Sequence, residues 1–102
     1  MKTETKTIDI NAKEWFDKAN GNSYFSALVT VNYGMDDEKT LKIPFQYGYG
    51  NQYEWEAQST LAKEYELPDS IAMSRYCREN GIILRSNKEK NCRKRDCKEF
   101  VA

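Results

Sequence analysis

Two stretches of alternating apolar residues, a turn between them and a four-residue apolar spacing further along predict an α+β domain. The expected architecture is a small, mostly antiparallel sheet with helices packed over one face. Its centre is a β-hairpin, 22–33 with 39–46, joined by a further short strand near 82–85.

Taken in order, residues 3–10 alternate weakly, with Ile8 and Ile10 on one side, and predict a short first strand. Asn11 and Glu14 then have the spacing of a capping box, so a short helix is expected to run to Asn20-Gly21, showing Trp15, Phe16 and Ala19 as its apolar face. From 22 to 33 the period is two. Phe25, Ala27, Val29, Val31 and Tyr33 share one side; Tyr24, Ser26, Leu28, Thr30 and Asn32 share the other. Gly34-Met35-Asp36-Asp37 is turn chemistry, and Leu41, Ile43 and Phe45 resume the alternation. Pro44 lacks a backbone donor and places that strand at a sheet edge, or turns its missing N–H away from the neighbour.

Tyr47-Gly48-Tyr49-Gly50 breaks the strand, and Asn51 with Glu54 repeats the cap spacing before a second helix. Tyr53, Ala57, Leu61 and Tyr65 form one stripe on it. Leu67-Pro68-Asp69-Ser70 interrupts, because the residue before a proline disfavours helical geometry. A third helix is expected to reach Asn80 with Ile71, Met73, Tyr76 and Cys77 inward, stopping at Gly81. Residues 82–85 read as a strand. The basic segment 86–102 reads as a turn followed by either strand or helix.

At 102 residues and 11.9 kDa, with no repeat and no Pro/Gly/Ser linker, one domain over 1–102 is expected. No apolar run approaches the ~20 residues of a membrane helix, and the polar N-terminus does not resemble a secretory signal, so a cytoplasmic protein without a membrane partner is expected. Histidine is absent, which removes Ser-His-Asp and Cys-His systems, histidine bases and histidine metal sites. Cys77, Cys92 and Cys97 are too few, and wrongly spaced, for a structural zinc site. Basic neighbours Arg93, Lys94, Arg95 and Lys98 would favour a thiolate at Cys92 or Cys97, yet no acid–base partner accompanies them, so these thiols read as incidental. Gly48-Tyr49-Gly50 lacks the third glycine and the Lys-Ser/Thr pair of a phosphate loop and reads as a tight turn. No enzyme, cofactor or metal is expected.

Charge is unevenly spread along the chain. Residues 1–74 carry 7 basic and 12 acidic side chains, a balance of −5, whereas 75–102 carry 9 basic and 4 acidic, a balance of +5. The acidic turn Asp36, Asp37 and Glu38 lacks the carboxylate ladder of a calcium loop and reads as a solvated tip. Together with Glu54 and Glu56 it offers a negative surface able to imitate a phosphate backbone and enter a basic groove. Among the aromatics, Phe25, Tyr33 and Phe45 are expected in the core, while Tyr24, Tyr47 and Tyr49 are expected at an exposed recognition surface. A different reading uses the tail. Arg85, Lys88, Lys90, Arg93, Lys94 and Arg95 would track phosphates while tyrosines stack on bases.

The run Trp15-Phe16-Asp17-Lys18, then Gly21-Asn22-Ser23-Tyr24-Phe25-Ser26 and Tyr47-Gly48-Tyr49-Gly50-Asn51-Gln52-Tyr53, resembles a group of short proteins from bacteriophages and mobile elements of gut bacteria. The likeness covers roughly residues 12–57, and Arg93-Lys94-Arg95-Asp96 fits the basic ending of that group. It brings no catalytic residue. It implies a phage-type protein acting in the host bacterial cytoplasm by binding a host protein, as anti-CRISPR inhibitors do, with a CRISPR nuclease or its nucleic-acid complex as the expected partner. Asp36, Asp37, Glu38, Tyr47, Tyr49, Glu54 and Glu56 are then the candidate contact residues.

Overall fold

The structure, a computed structural model, describes residues 5–65 and 71–102. Its elements are β1 (Thr7–Asp17), β2 (Asn22–Val31), β3 (Lys39–Tyr47), α1 (Gln52–Tyr65), α2 (Met73–Glu79), β4 (Ile83–Glu89) and α3 (Lys94–Phe100). The sheet has four strands in the order β3-β2-β1-β4; β1 and β4 run parallel, and the other neighbours are antiparallel. The expected α+β class is found. The proline break expected at 67–70 lies outside the described residues.

One expected element is a different structure. The helix read from Asn11 to Gly21 is the second half of β1 and the turn after it; β1 continues the alternation of Ile8 and Ile10 through Ala12 and pairs with β2 from Ile8 to Asp17. Asn11 and Glu14 lie within the strand, and Asn20 and Gly21, read as the helix stop, close a hairpin instead. The Asp17 carboxylate accepts from the backbone N–H of Ala19 (3.1 Å) and the side-chain amide of Asn20 (2.8 Å), the Gly21 amide donates to the Asp17 carbonyl, and Gly21 adopts φ +70°. The hydrogen bond from the Asn20 side chain, foremost, holds the Asp17 carboxyl below its ordinary value.

Ile8, Ile10, Ala12, Phe25, Ala27, Val29, Val31, Leu41 and Ile43 form one buried sheet face. Ala57 and Leu61 of α1, with Met73 and Cys77 of α2, cover it; Tyr53 and Tyr65 pack at its margin as the α1 stripe predicts, and Tyr76 of α2 does the same. β2 ends before Tyr33: Asn32 turns the chain at φ 55°, and its buried side-chain oxygen accepts from the amides of Lys6 (2.7 Å) and Thr7 (3.3 Å). Tyr33, expected in the core, is therefore left exposed.

Phe45 also departs from its expected face. Phe25 lies opposite Gln46 while Ala27 lies opposite Ile43, so β3 sets two residues, Pro44 and Phe45, against Ser26 alone and carries one extra residue. This bulge on an edge strand absorbs the proline and moves Phe45 to the side away from the core, where its ring stacks on Tyr24.

Helices over one face describes α1 and α2. The undecided segment resolves into four more residues of pairing, Ser86 to Glu89 on β4, followed by α3, which packs on the opposite face. There the Ser26 hydroxyl donates to the Cys97 carbonyl at 2.6 Å, and the Cys97 thiol lies 3.5 Å from the Lys13 carbonyl. Cys92 and Cys97 occupy the two positions of a hydrophobic staple, one residue before the N-cap Arg93 and in the first turn of the helix, and both are buried. The Asp96 carboxylate accepts from the Arg93 amide and guanidinium, which lowers the Asp96 pKa and raises that of Arg93.

Burial, above all, pushes the thiol of Cys97 up to about 11 and raises those of Cys92 and Cys77. The basic neighbours of the tail do not activate these thiols. The folded chain holds the thiol protons more tightly than an unfolded one, whose cysteines titrate near ~8.5. Stability conferred by the three thiols is therefore complete below that pH and declines as pH rises toward 11. A urea midpoint that falls through this alkaline window, together with alkylation by iodoacetamide that is slow at pH 7 until urea is added, is the expected result. Rapid alkylation of the native chain would contradict it.

Candidate binding surface

Strand pairing sets Trp15 of β1 opposite Tyr24 of β2, and Tyr24 opposite Tyr47 of β3, so three rings line up across the sheet on the α3 side. The bulge adds Phe45. Ring centroids lie 5.5 Å apart for Trp15 and Tyr24, 5.4 Å for the stacked Tyr24 and Phe45, and 5.8 Å for the edge-on Tyr24 and Tyr47. Tyr49 continues the row in the loop, 6.4 Å from Tyr47 and again edge-on. These spacings are the preferred ones for aromatic pairs.

The row is packed at one end and open at the other. Trp15, Tyr24 and Phe45 are half-buried, whereas Tyr47 and Tyr49 are 56% and 68% exposed. Lys94 and Lys98 of α3 place their ammonium groups 5.6 Å from the ring centres of Trp15 and Phe45, and Lys13 stands 5.2 Å over Phe100. The sequence pointed to the tyrosines; Trp15, Phe45, Lys13 and Lys98 escaped it because their places depend on strand pairing and on the bulge.

The acidic candidates do not gather around this row. Asp36, Asp37 and Glu38 sit exposed in the β2–β3 turn, where the Glu38 carboxylate accepts from the Gly34 amide at 2.8 Å. Tyr47 ends the strand that this turn begins, and nine strand residues put the two sites ~27 Å apart. Glu54 and Glu56 lie in the first turns of α1 and are half-buried; Glu54 accepts from the Ser86 hydroxyl at 3.0 Å.

The basic candidates divide as well. Arg85 forks onto Asp9 at 2.6 and 3.1 Å, which raises its pKa, and Arg93 is engaged with Asp96. Lys88 turns inward to Glu14 at 3.1 Å, and the two side chains are only 12% and 13% exposed. Much of the charge separation along the chain is thus cancelled in three dimensions. Lys90 and Arg95 are exposed and make no hydrogen bond or ion pair among the described residues; with Lys94 and Lys98 they form the remaining positive surface.

A groove of about 270 Å³ opens on the other face between α1 and the start of α2, floored by Ile10, Leu84 and Met73 and rimmed by the exposed Trp55. Among the described residues no group of three His, Cys, Asp or Glu side chains is placed to hold a metal ion, and no helix is long and apolar enough to cross a membrane. No protein-family model matches the sequence, and neither a curated protein nor a solved structure matches it.

Proposed function

We propose that the chain is a non-enzymatic binding protein of phage type that inhibits a nucleic-acid-handling defence system of its host, anti-CRISPR-like, by protein–protein contact. The observation that carries the reading is the open end of the aromatic row. Tyr47 and Tyr49 are exposed, yet each is held edge-on by the next ring of a packed series, so little side-chain freedom is lost when a partner covers them. Rigid, amphipathic tyrosines are the residues that dominate protein interfaces. Asp36, Asp37 and Glu38 supply a negative second contact at the far end of β3, suited to the basic groove of a nuclease. The resemblance to short phage proteins supports the choice of host target.

Affinity capture from a host bacterial lysate tests this. The wild-type chain retains a nucleic-acid-handling protein, and the Tyr47→Ala, Tyr49→Ala double variant loses it by ~30-fold in affinity, the scale of a hot-spot truncation. Capture of no protein partner, or equal capture by the variant, would sink the proposal.

A second reading draws on Lys94 and Lys98, which stand over Trp15 and Phe45 at the packed end of the row, with the exposed Lys90 and Arg95 as further cations. That combination suits single-stranded nucleic acid, stacked on Tyr47 and Tyr49 and tracked by the lysines. Gel shift at two salt concentrations separates the readings, because this one demands binding that weakens steeply as salt rises.

A further inference from the structure

The two edges of the sheet differ in character. β3 carries Pro44 in a bulge, a device that blunts an edge against pairing. β4 contains no proline, glycine or bulge in its seven residues, and among the described residues its strand partner is β1 alone. The Ile83 amide donates to the Lys6 carbonyl, so Ile83, Arg85, Asn87 and Glu89 direct their backbone groups toward β1. By alternation, Leu84, Ser86 and Lys88 direct theirs outward.

We propose that this edge is the pairing surface for a second copy of the same chain, with the two β4 strands antiparallel about a two-fold axis through Asn87. An antiparallel ladder sets outward-directed residues opposite one another, which excludes axes lying between residues. Of the axes that remain, one through Leu84 sets Arg85 against Ile83, one through Arg85 sets that cation against itself, one through Ser86 sets Arg85 against Asn87, and one through Lys88 sets Glu89 against Asn87. The axis at Asn87 sets Arg85 of each copy opposite Glu89 of the other, in the non-hydrogen-bonded pairs where side chains come closest. Charge selects this register. Arg85 uses Nε and one Nη for Asp9, and Glu89 lies 3.5 Å from Lys13, so pairing links four charges of alternating sign, Asp9, Arg85, Glu89 and Lys13, twice over.

On the other face the same register brings Lys90 of the second copy toward Leu84, at the groove whose rim is Trp55, 65% exposed. The aliphatic stem of that lysine covers Leu84, and its ammonium meets the indole. Two features that the monomer leaves unexplained, a large exposed indole and a lysine without an ionic partner, are thereby joined.

Sedimentation equilibrium combined with amide hydrogen exchange provides the test. A monomer–dimer equilibrium is expected, with exchange at Leu84, Ser86 and Lys88 slowing as concentration rises. Ser86→Pro removes one outward donor and leaves β1 pairing intact, so it gives a monomer of native circular dichroism; Ser86→Ala, which loses only the contact to Glu54, keeps the dimer. Glu89→Lys turns two attractive pairs repulsive and weakens dimerisation by about tenfold; this variant and the exchange pattern carry the test if Ser86→Pro does not fold. A chain that stays monomeric at millimolar concentration overturns the proposal. So does a dimer indifferent to Glu89→Lys, or protection of the three amides only when a different protein is added, which would assign the edge to a foreign strand.

Discussion

Lys88→Met is expected to lower folding stability by ~3 kcal/mol, read as a shifted urea midpoint with an unchanged slope. Lys88 donates to the Glu14 carboxylate at 3.1 Å and to the Gly50 carbonyl at 2.8 Å, with its ammonium 5.7 Å from the Tyr53 ring centre. Methionine keeps the stem and removes the charge. It leaves a carboxylate only 13% exposed facing no cation, and the desolvation of that ion is what costs. If that is the cause, removing Glu14 as well relieves it: Glu14→Leu combined with Lys88→Met should recover most of the loss, because an apolar pair of similar volume replaces the ions. Arg75→Ala provides the contrast, at no more than ~1 kcal/mol, since both side chains of the Arg75–Glu79 pair are more than half exposed and the carboxylate left behind stays in water. Equal instability of the single and double variants would show that Lys88 acts through packing alone.

The same pair shows why the fold was only partly legible in the sequence. Alternation over β2 and β3 is a local signal and survives into the structure, as does the four-residue stripe of α1. Glu14 and Lys88 are 74 residues apart, and Asp9 and Arg85 are 76 apart; nothing local announces pairs that exist because β4 lies parallel to β1. The charge balance computed along the chain therefore overstates the polarity of the surface. β1 was misread for a related reason. Asn11 with Glu14, and Asn20 with Gly21, have helix-cap spacing, but β2 holds residues 11–17 in extended form, joined by β4 on the other side as far as Lys13, and tertiary pairing overrides the local preference.

The aromatic row depended on parity. One bulge at Pro44 moves every later residue of β3 to the other face, which no count of alternating residues reveals. Tyr47 and Tyr49 were readable as exposed because they alternate with Gly48 and Gly50 where the strand gives out, although the structure still pairs Tyr47 with Tyr24. Trp15 and Lys98 were not, since their meeting with Tyr24 and Phe45 requires both the strand reading of β1 and the helix α3.

Phe25→Ala should be the most damaging single change in the chain, at ~3–5 kcal/mol, a large share of the ~5–15 kcal/mol that holds a domain of this kind together. Phe25 is the largest of the fully buried side chains. Its ring presses on the backbone of Gly48: a Cβ built there would lie 2.6 and 3.1 Å from two ring carbons and 2.7 Å from Cγ of Gln52. The Gly48 amide also donates to the Ser23 carbonyl at 3.0 Å, so the segment between the two exposed tyrosines is pinned from below and from the side. Gly48→Ala must displace a core ring and is expected to cost ~1–3 kcal/mol. Because the added methyl falls where the lost ring was, Phe25→Ala with Gly48→Ala should cost less than the sum of the two, a coupling that a double-mutant cycle measures. Tyr47→Ala and Tyr49→Ala, whose rings face water, should each leave the urea midpoint within the ~0.5 kcal/mol usual for surface positions. Gly48→Ala would then weaken partner capture through the geometry of rings it does not touch, while the tyrosine variants weaken capture without loosening the fold. A Gly48→Ala chain as stable as wild type would mean that Phe25 does not hold the loop, and the rigidity assigned to Tyr47 and Tyr49 would have no source in the core.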